Sequence, residues 1–195
     1  MFRRLLPTTL ATAATALLLA SPAFAHTGHE VAGFMSGFAH PIGGLDHVLA
    51  MLAVGFWAGQ TGGRMIWAAP LGFIALMIAG GALGMAGIGL PGVELGITAS
   101  IVVFGLMIAF AFRPNPVAAA AIAGVFALFH GHAHGTEMAA GGSAALYALG
   151  FVAATALLHL AGIALAMGMR KAQVAKLERA VGAGIALAGV ALMVG

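Results

Sequence analysis

Six apolar stretches, each about the length of a membrane-spanning helix, account for most of this sequence. A helix needs about 20 mainly apolar residues to cross the hydrocarbon core of a bilayer. The stretches that meet this need are residues 43–60, 65–86, 94–112, 116–134, 143–169 and 176–195. Glycine, proline or charged residues separate each stretch from the next, as is typical of helix ends and turns. The pattern predicts an all-α integral membrane protein with six transmembrane helices.

The composition excludes most other classes of protein. Of 195 residues, 62% are hydrophobic and 7% are charged, whereas about a quarter of the residues of a soluble domain are charged. Eight Lys or Arg and five Asp or Glu side chains cannot cover a surface that faces water. The expected surroundings are therefore a lipid bilayer, and nucleic acid is not an expected partner because no basic patch carries interleaved aromatic residues. Cysteine is absent, so a metal site would use His, carboxylate, Met or backbone oxygen ligands.

The beginning of the chain has the pattern of a secretory signal. Two early arginines precede an apolar segment at 10–20, and an Ala-Phe-Ala triplet at 23–25 matches a cleavage site. The pattern predicts a cleaved signal peptide over 1–25 and one transmembrane domain over 26–195. An uncleaved first helix is the alternative, which the short length of the apolar segment disfavours.

The distribution of charge predicts an orientation in the membrane. A cleaved signal leaves the mature N-terminus outside, so the first, third and fifth connections would face the cytoplasm. All the Lys and Arg residues after the signal lie in or beside these connections: Arg64, Arg113, Arg170, Lys171, Lys176 and Arg179. This arrangement obeys the positive-inside rule. It predicts a protein of the bacterial cytoplasmic (inner) membrane whose mature N- and C-termini are both periplasmic.

A first polar cluster, His40, Asp46 and His47, lies at the predicted outer end of the first span. The proline and glycines between His40 and Leu45 argue against a regular helix there and would let His40 fold back toward His47. Asp46 would then occupy the first turn of a helix, where the helix dipole favours a carboxylate. Two imidazoles and a carboxylate within eight residues predict a divalent-metal site. The alternative is an N-capping Asp46 beside an imidazole that is bonded to a backbone carbonyl.

A second polar cluster lies at the predicted outer end of the fourth span. His130 and His134 are four residues apart and share a helix face, and Glu137 follows on that face if the helix continues. His132 points elsewhere, toward water or a neighbouring helix. Because the first span runs inward and the fourth runs outward, both clusters lie at the same membrane face and can form one site. Such a nitrogen-rich, thiolate-free site suits Ni²⁺, Co²⁺, Zn²⁺ or Cu²⁺.

Three further histidines are candidates for secondary metal binding. His159 lies near the middle of the fifth span, where it would be a second position on an ion path or a proton acceptor. The alternative is a buried imidazole bonded to a backbone carbonyl. His26 and His29, at the predicted mature N-terminus, could collect metal outside the membrane.

The thirty glycines of the chain predict close helix packing. Spacings of four residues between small side chains let helix backbones approach each other in lipid. Such pairs occur at Gly55 and Gly59, at Gly80 and Gly84, and at Gly92 and Gly96. A flexible or broken helix that lines a path is the alternative.

The two histidine motifs resemble those of a known family. Residues 40–47, HPIGGLDH, are similar to the HPxxGxDH element of the HupE/UreJ nickel/cobalt permeases, and residues 129–137, FHGHAHGTE, to that family's FHGxAHGxE element. The resemblance extends over essentially the whole chain, from the signal to the final apolar helix. It implies secondary uptake of Ni²⁺, or Co²⁺, from periplasm to cytoplasm without a prosthetic group. The metal would supply the maturation of hydrogenase or urease.

The resemblance also implies which residues bind metal. These are His40, Asp46, His47, His130, His134 and Glu137, whereas His132 occupies a variable position of the second motif. The chain has no GxxxxGK[ST] stretch for ATP, so transport would be passive or ion-coupled. Whether Ni²⁺ or Co²⁺ is carried, and whether a homo-oligomer forms, stay open.

Two other functions are compatible with a His and carboxylate cluster. An intramembrane hydrolase could hold catalytic Zn²⁺ with such ligands. However, the chain has no H-E-x-x-H motif, and Ser143 and His159 would lie about 24 Å apart along one helix. A metal sensor or accessory subunit that does not transport is the other alternative.

Overall fold

The computed structural model describes residues 33–138 and 143–195 of the chain. Over these ranges the protein forms seven α-helices and no strand, as the all-α prediction requires. The helices are α1 (Phe34–Gly43), α2 (Leu45–Thr61), α3 (Met65–Met85), α4 (Val93–Ala109), α5 (Pro116–Met138), α6 (Ala144–Lys171) and α7 (Ala175–Val194). The predicted signal peptide, 1–25, and His26 and His29 lie outside the described residues.

Helices α2 to α7 correspond one for one to the six predicted apolar stretches, whereas α1 precedes the first stretch and was not predicted. By length and hydropathy, α3, α5, α6 and α7 can each cross a membrane, and α1 with α2 forms a fifth candidate span that bends by 86°. The predicted third span is shorter than expected, since α4 is a 17-residue apolar helix that ends where the chain turns at Ala111 with a φ of 52°. The all-α membrane fold is thus confirmed.

The predicted break just before Leu45 is present, but it is confined to Gly44. Pro41 and Gly43 were expected to prevent a regular helix, but α1 includes both, and the helix is interrupted at Gly44, with φ −100° and ψ 122°. Pro41 lies in the last turn of α1, close to the end of the helix, and removes one backbone donor from it. Asp46 occupies the first turn of α2, as predicted.

Helix α5 also differs from the prediction, because it continues beyond residue 134 to Met138. The expected break at Gly135 does not occur, since this glycine lies against the backbone of Gly81 on α3. A close tertiary contact therefore offsets the weak helix propensity of glycine at this position.

Glycines bring the helices into backbone contact in pairs. A Cβ atom at Gly131 of α5 would clash with the carbonyl of Met77 on α3, and one at Gly55 of α2 with the carbonyl of His159 on α6. In the third pair, Gly105 of α4 lies against the backbone of α7. Because the hydrophobic effect does not drive helices together in lipid, such close contacts supply much of the packing energy.

The predicted glycine pairs fare differently. Gly55 with Gly59 and Gly80 with Gly84 contact a neighbouring backbone, which confirms close packing there. The prediction is wrong for Gly92, which precedes α4 with a φ of 70° and has open space around it. A glycine is favoured at this position because the backbone has a left-handed conformation there.

At the end of the bundle far from Gly44, side chains tie the helices together through backbone carbonyls. Trp57 Nε1 donates to the carbonyl of Phe112 at 2.8 Å. Arg170 Nη1 donates to the carbonyl of Gly59 at 3.0 Å. These bonds join the C-terminal end of α2 to the residues after α4 and to the end of α6.

The backbone contact at Gly131 predicts a stability effect. Gly131→Ala should lower the free energy of unfolding by about 1–3 kcal/mol, because overpacking a tight contact costs that much. The measurement is thermal or denaturant unfolding of the protein in detergent. Gly184→Ala is the matched control, since Gly184 is helical with open space around it and should not be destabilised. Equal stability of the two variants would contradict the packing argument.

Candidate metal centre

The two histidine motifs meet at the break between α1 and α2. There α5 ends, α6 begins, and the side chains of the motifs point into one space. The six residues are His40 in the last turn of α1, Asp46 and His47 in the first turn of α2, and His130, His134 and Glu137 on α5. The sequence placed both motifs at one membrane face, and the structure brings them into contact.

The shortest contact between the motifs joins two buried imidazoles. The Nε2 atoms of His47 and His134 are 2.6 Å apart, and the two residues are only 7% and 5% exposed. They are separated by 87 positions in the chain. A pair of ring nitrogens that face each other in this way can share a proton or a metal ion.

A carboxylate lies at the Nδ1 atom of each of these two rings. His47 Nδ1 donates to Asp46 Oδ1 at 2.8 Å, and His134 Nδ1 donates to Glu137 Oε2 at 3.3 Å. A carboxylate in this position fixes the tautomer and orientation of a metal-binding imidazole and raises its basicity. The geometry therefore gives Asp46 and Glu137 an orienting position that the sequence did not reveal.

Gly44 makes room for the first of these pairs. A Cβ atom at this position would lie 2.7 Å from Asp46 Oδ1 and 2.9 Å from His47 Nδ1. Any other residue would push the carboxylate or the ring aside. The same glycine thus ends α1 and leaves the Asp46–His47 pair in place.

His40 and Glu137 form the water-accessible side of the cluster. His40 Nε2 lies 4.0 Å from Glu137 Oε2, and the two side chains are 37% and 57% exposed. One ligand atom each from His40, His134 and Glu137 lie within 4.8 Å of one another. Imidazole and carboxylate ligands at this spacing can hold a divalent cation.

His130 is the most deeply buried member of the cluster. Its Nε2 lies 3.1 Å from Ser100 Oγ, and the Ser100 hydroxyl donates its one proton to the carbonyl of Ile97 at 2.6 Å. His130 Nε2 must therefore be the donor to Ser100, so its Nδ1 carries a lone pair. That Nδ1 is buried and has no partner among the described residues.

The sequence did not single out three residues around the site. Ser100 on α4 was missed, although it is one of only two hydroxyl residues in that apolar stretch, the other being Thr98. Tyr147 and Phe151, one turn apart at the start of α6, line the cluster: the Tyr147 ring lies 6.0 Å from His40 and the Phe151 ring 4.7 Å from His134. Their apolar rings exclude water from one side of the imidazoles.

Two of the secondary candidates lie outside the motif cluster. His132 Nε2 donates to the carbonyl of Ile88, at 2.7 Å, in the connection between α3 and α4, so it bonds to a connection, whereas water or a neighbouring helix was expected. His159 is 1% exposed, and neither ring nitrogen has a partner in the described parts of the chain. The alternative that it bonds to a backbone carbonyl is therefore wrong.

The fold and the site together define a class, an all-α membrane protein with imidazoles and carboxylates from two motifs gathered at a broken helix. The family model of the HupE / UreJ protein matches residues 14–192, and the chain belongs to this family. Protein HupE of Rhizobium leguminosarum bv. viciae is 46% identical to the chain over 188 residues, which are 95% of this chain and 97% of that protein. No solved structure matches the chain significantly.

The separate position of His132 gives a prediction that distinguishes it from His134. His132→Ala should leave the affinity for Ni²⁺ unchanged and cost about 1 kcal/mol of stability through its lost hydrogen bond. His134→Ala, two residues away on the same helix, should remove most of the binding. Equilibrium dialysis with radiolabelled Ni²⁺ measures affinity, and thermal unfolding measures stability. A loss of metal binding in the His132 variant would place that residue in the site after all.

Proposed function

We propose that the protein is a secondary transporter that takes up Ni²⁺, or Co²⁺, from the periplasm into the cytoplasm through the motif cluster. The observation that carries this proposal is the meeting of His47 Nε2 and His134 Nε2, each with a carboxylate on its Nδ1. This is the donor arrangement of a transition-metal site. The nickel would reach the maturation proteins of hydrogenase or urease.

The distance between the two imidazoles bears on how an ion enters. Two nitrogens bound at about 2.0–2.1 Å to one ion lie about 3 Å or more apart. Since the Nε2 atoms are 2.6 Å apart, the rings must separate slightly to admit the ion. The partly exposed His40 is placed to receive the ion first.

The distribution of charge supports the direction of transport. The basic residues of the connections lie at the end of the bundle away from the motif cluster, which puts the cluster on the periplasmic side under the positive-inside rule. In that orientation both mature termini are periplasmic. The membrane in this proposal is the bacterial inner membrane. An inside-negative potential then favours entry of a dication by about 4–5 kcal/mol per 100 mV, at about 2.3 kcal/mol per charge.

A hydrolase that uses Ser143 as nucleophile and His159 as base gains no support from the structure. Ser143 Oγ accepts a hydrogen bond from the Leu146 amide at 3.4 Å and caps α6. His159 lies 16 residues further along the same helix, about 24 Å away. The two side chains therefore cannot act as nucleophile and base, and no described feature favours a sensor over a transporter.

The proposal predicts a specific loss of uptake. Cells without their own nickel importers should accumulate radiolabelled Ni²⁺ when they express the wild-type chain, and His47→Ala at equal membrane levels should abolish this uptake. Competition with Co²⁺ and Zn²⁺ then gives the selectivity. Full uptake by the His47 variant would refute the role of the cluster, and no uptake by the wild type would refute transport of nickel.

The carboxylates should have a smaller effect than the imidazoles. Asp46→Asn should reduce the affinity for Ni²⁺ by about 10–100-fold, the usual cost of losing a carboxylate behind a metal-binding imidazole. His47→Ala should lose the binding altogether, so the two variants rank the two roles. Titration of the purified protein in detergent measures both affinities. An Asp46→Asn variant with wild-type affinity would show that the carboxylate does not support the ring.

A further inference from the structure

His159 combines complete burial with two unsatisfied ring nitrogens. It is 1% exposed, and both Nδ1 and Nε2 lack a partner among the described residues. Leaving a buried polar group without a hydrogen bond costs about 1–3 kcal/mol. No hydrogen bond from the described residues offsets this cost, so a function for these nitrogens has to be sought in their surroundings.

The side chains one turn above His159 are rich in sulfur. Thr155 precedes His159 by four residues and lies on the same face of α6. The Thr155 hydroxyl lies 3.3 Å from Met51 Sδ of α2 and 3.9 Å from Met77 Sδ of α3. Two thioethers from different helices thus converge one turn from the unpartnered imidazole, and all of these residues are buried.

The same three helices also surround His159 itself. The Phe73 ring, one turn from Met77 on α3, meets the His159 ring edge-on, with centroids 5.1 Å apart. Gly55, one turn from Met51 on α2, lies against the backbone of His159. The imidazole therefore occupies a place where α2, α3 and α6 meet in the middle of the bundle.

A series of rings connects this place to the motif cluster. The centroids of His47 and His130 are 5.3 Å apart, those of His130 and Phe73 are 5.6 Å apart, and Phe73 contacts His159. Along α2, Gly55 lies eight residues from His47, a rise of about 12 Å. His130, with its unpartnered Nδ1, lies between the two places.

We propose that His159, together with the thioethers of Met51 and Met77, forms a second binding site for the transported ion, which we call the inner site. This inference rests on the proposed function. Imidazole and thioether ligands select soft or borderline transition metals over Mg²⁺ and Ca²⁺. The described surroundings include no carboxylate, so the inner site binds the ion more weakly than the motif cluster and releases it easily, as conduction requires.

Unpartnered oxygens continue the path beyond the inner site. Gln60 Oε1 and Thr61 Oγ1, at the end of α2 away from the motif cluster, are buried without a partner among the described residues. The order along the bundle is then the motif cluster, His130, the inner site and this oxygen pair.

The test compares ion binding with ion transport in the purified, full-length protein. His159→Leu should bind Ni²⁺ at the motif cluster with wild-type affinity, but its initial uptake rate in proteoliposomes should fall about tenfold or more, which corresponds to about 1.4 kcal/mol or more on the barrier. His132→Leu is the matched control, because His132 is similarly buried but bonded elsewhere. Its uptake should equal that of the wild type.

A second variant separates metal binding from a merely structural role. The chain has no cysteine, so His159→Cys introduces its one thiol at the inner site. It should restore part of the uptake and give a thiolate-to-Co²⁺ charge-transfer absorption when Co²⁺ is added. In the double variant His47→Ala with His159→Cys, the motif cluster cannot bind metal, so any Co²⁺ absorption comes from the inner site.

The outcomes separate the two proposals. Wild-type uptake by His159→Leu, or no Co²⁺ absorption in a folded His159→Cys variant, would overturn the inner site. If the wild type takes up no nickel, the proposed transport fails, and the Co²⁺ absorption alone then supports or overturns the inner site as a place that binds metal.

Discussion

The buried contact between the imidazoles of His47 and His134 joins the beginning of α2 to the end of α5. It requires that two helices distant in the chain finish at the same level of the bundle. It also requires both rings to present Nε2, which the carboxylates of Asp46 and Glu137 ensure. This pair also determines where α1 and α6 lie. His40 of α1 and Phe151 of α6 both pack against the His134 ring.

The accuracy of that contact depends on helices that cannot shift relative to one another. Gly131 and Gly135 hold α5 against the backbone of α3, and Gly55 and Gly162 hold α2 against α6. Where two helix backbones are in contact, no flexible side chains lie between them that could adjust to a shift of one helix along the other. The histidines are therefore attached to a rigid frame, and any adjustment at the site is confined to their side chains.

The sequence predicted the fold class and the meeting of the two motifs, because hydropathy defines spans and charge defines their direction. It predicted a break just before Leu45, but not that Pro41 and Gly43 lie within a helix, since that depends on how α1 packs against α6. Ser100 and the sulfur atoms around Thr155 could not be assigned either. Their roles follow from contacts between helices that are far apart in the sequence, which periodicity and spacing do not contain.

The break at Gly44 also helps to explain how a chain with few acidic side chains can attract a dication. The last carbonyl oxygens of α1 have no following turn to bond, and the C-terminal end of a helix carries about half a negative charge. The 86° bend places this end beside the motif cluster, while the carboxylate of Asp46 offsets the positive end of α2. The backbone thus contributes negative potential where lipid would penalise further acidic side chains.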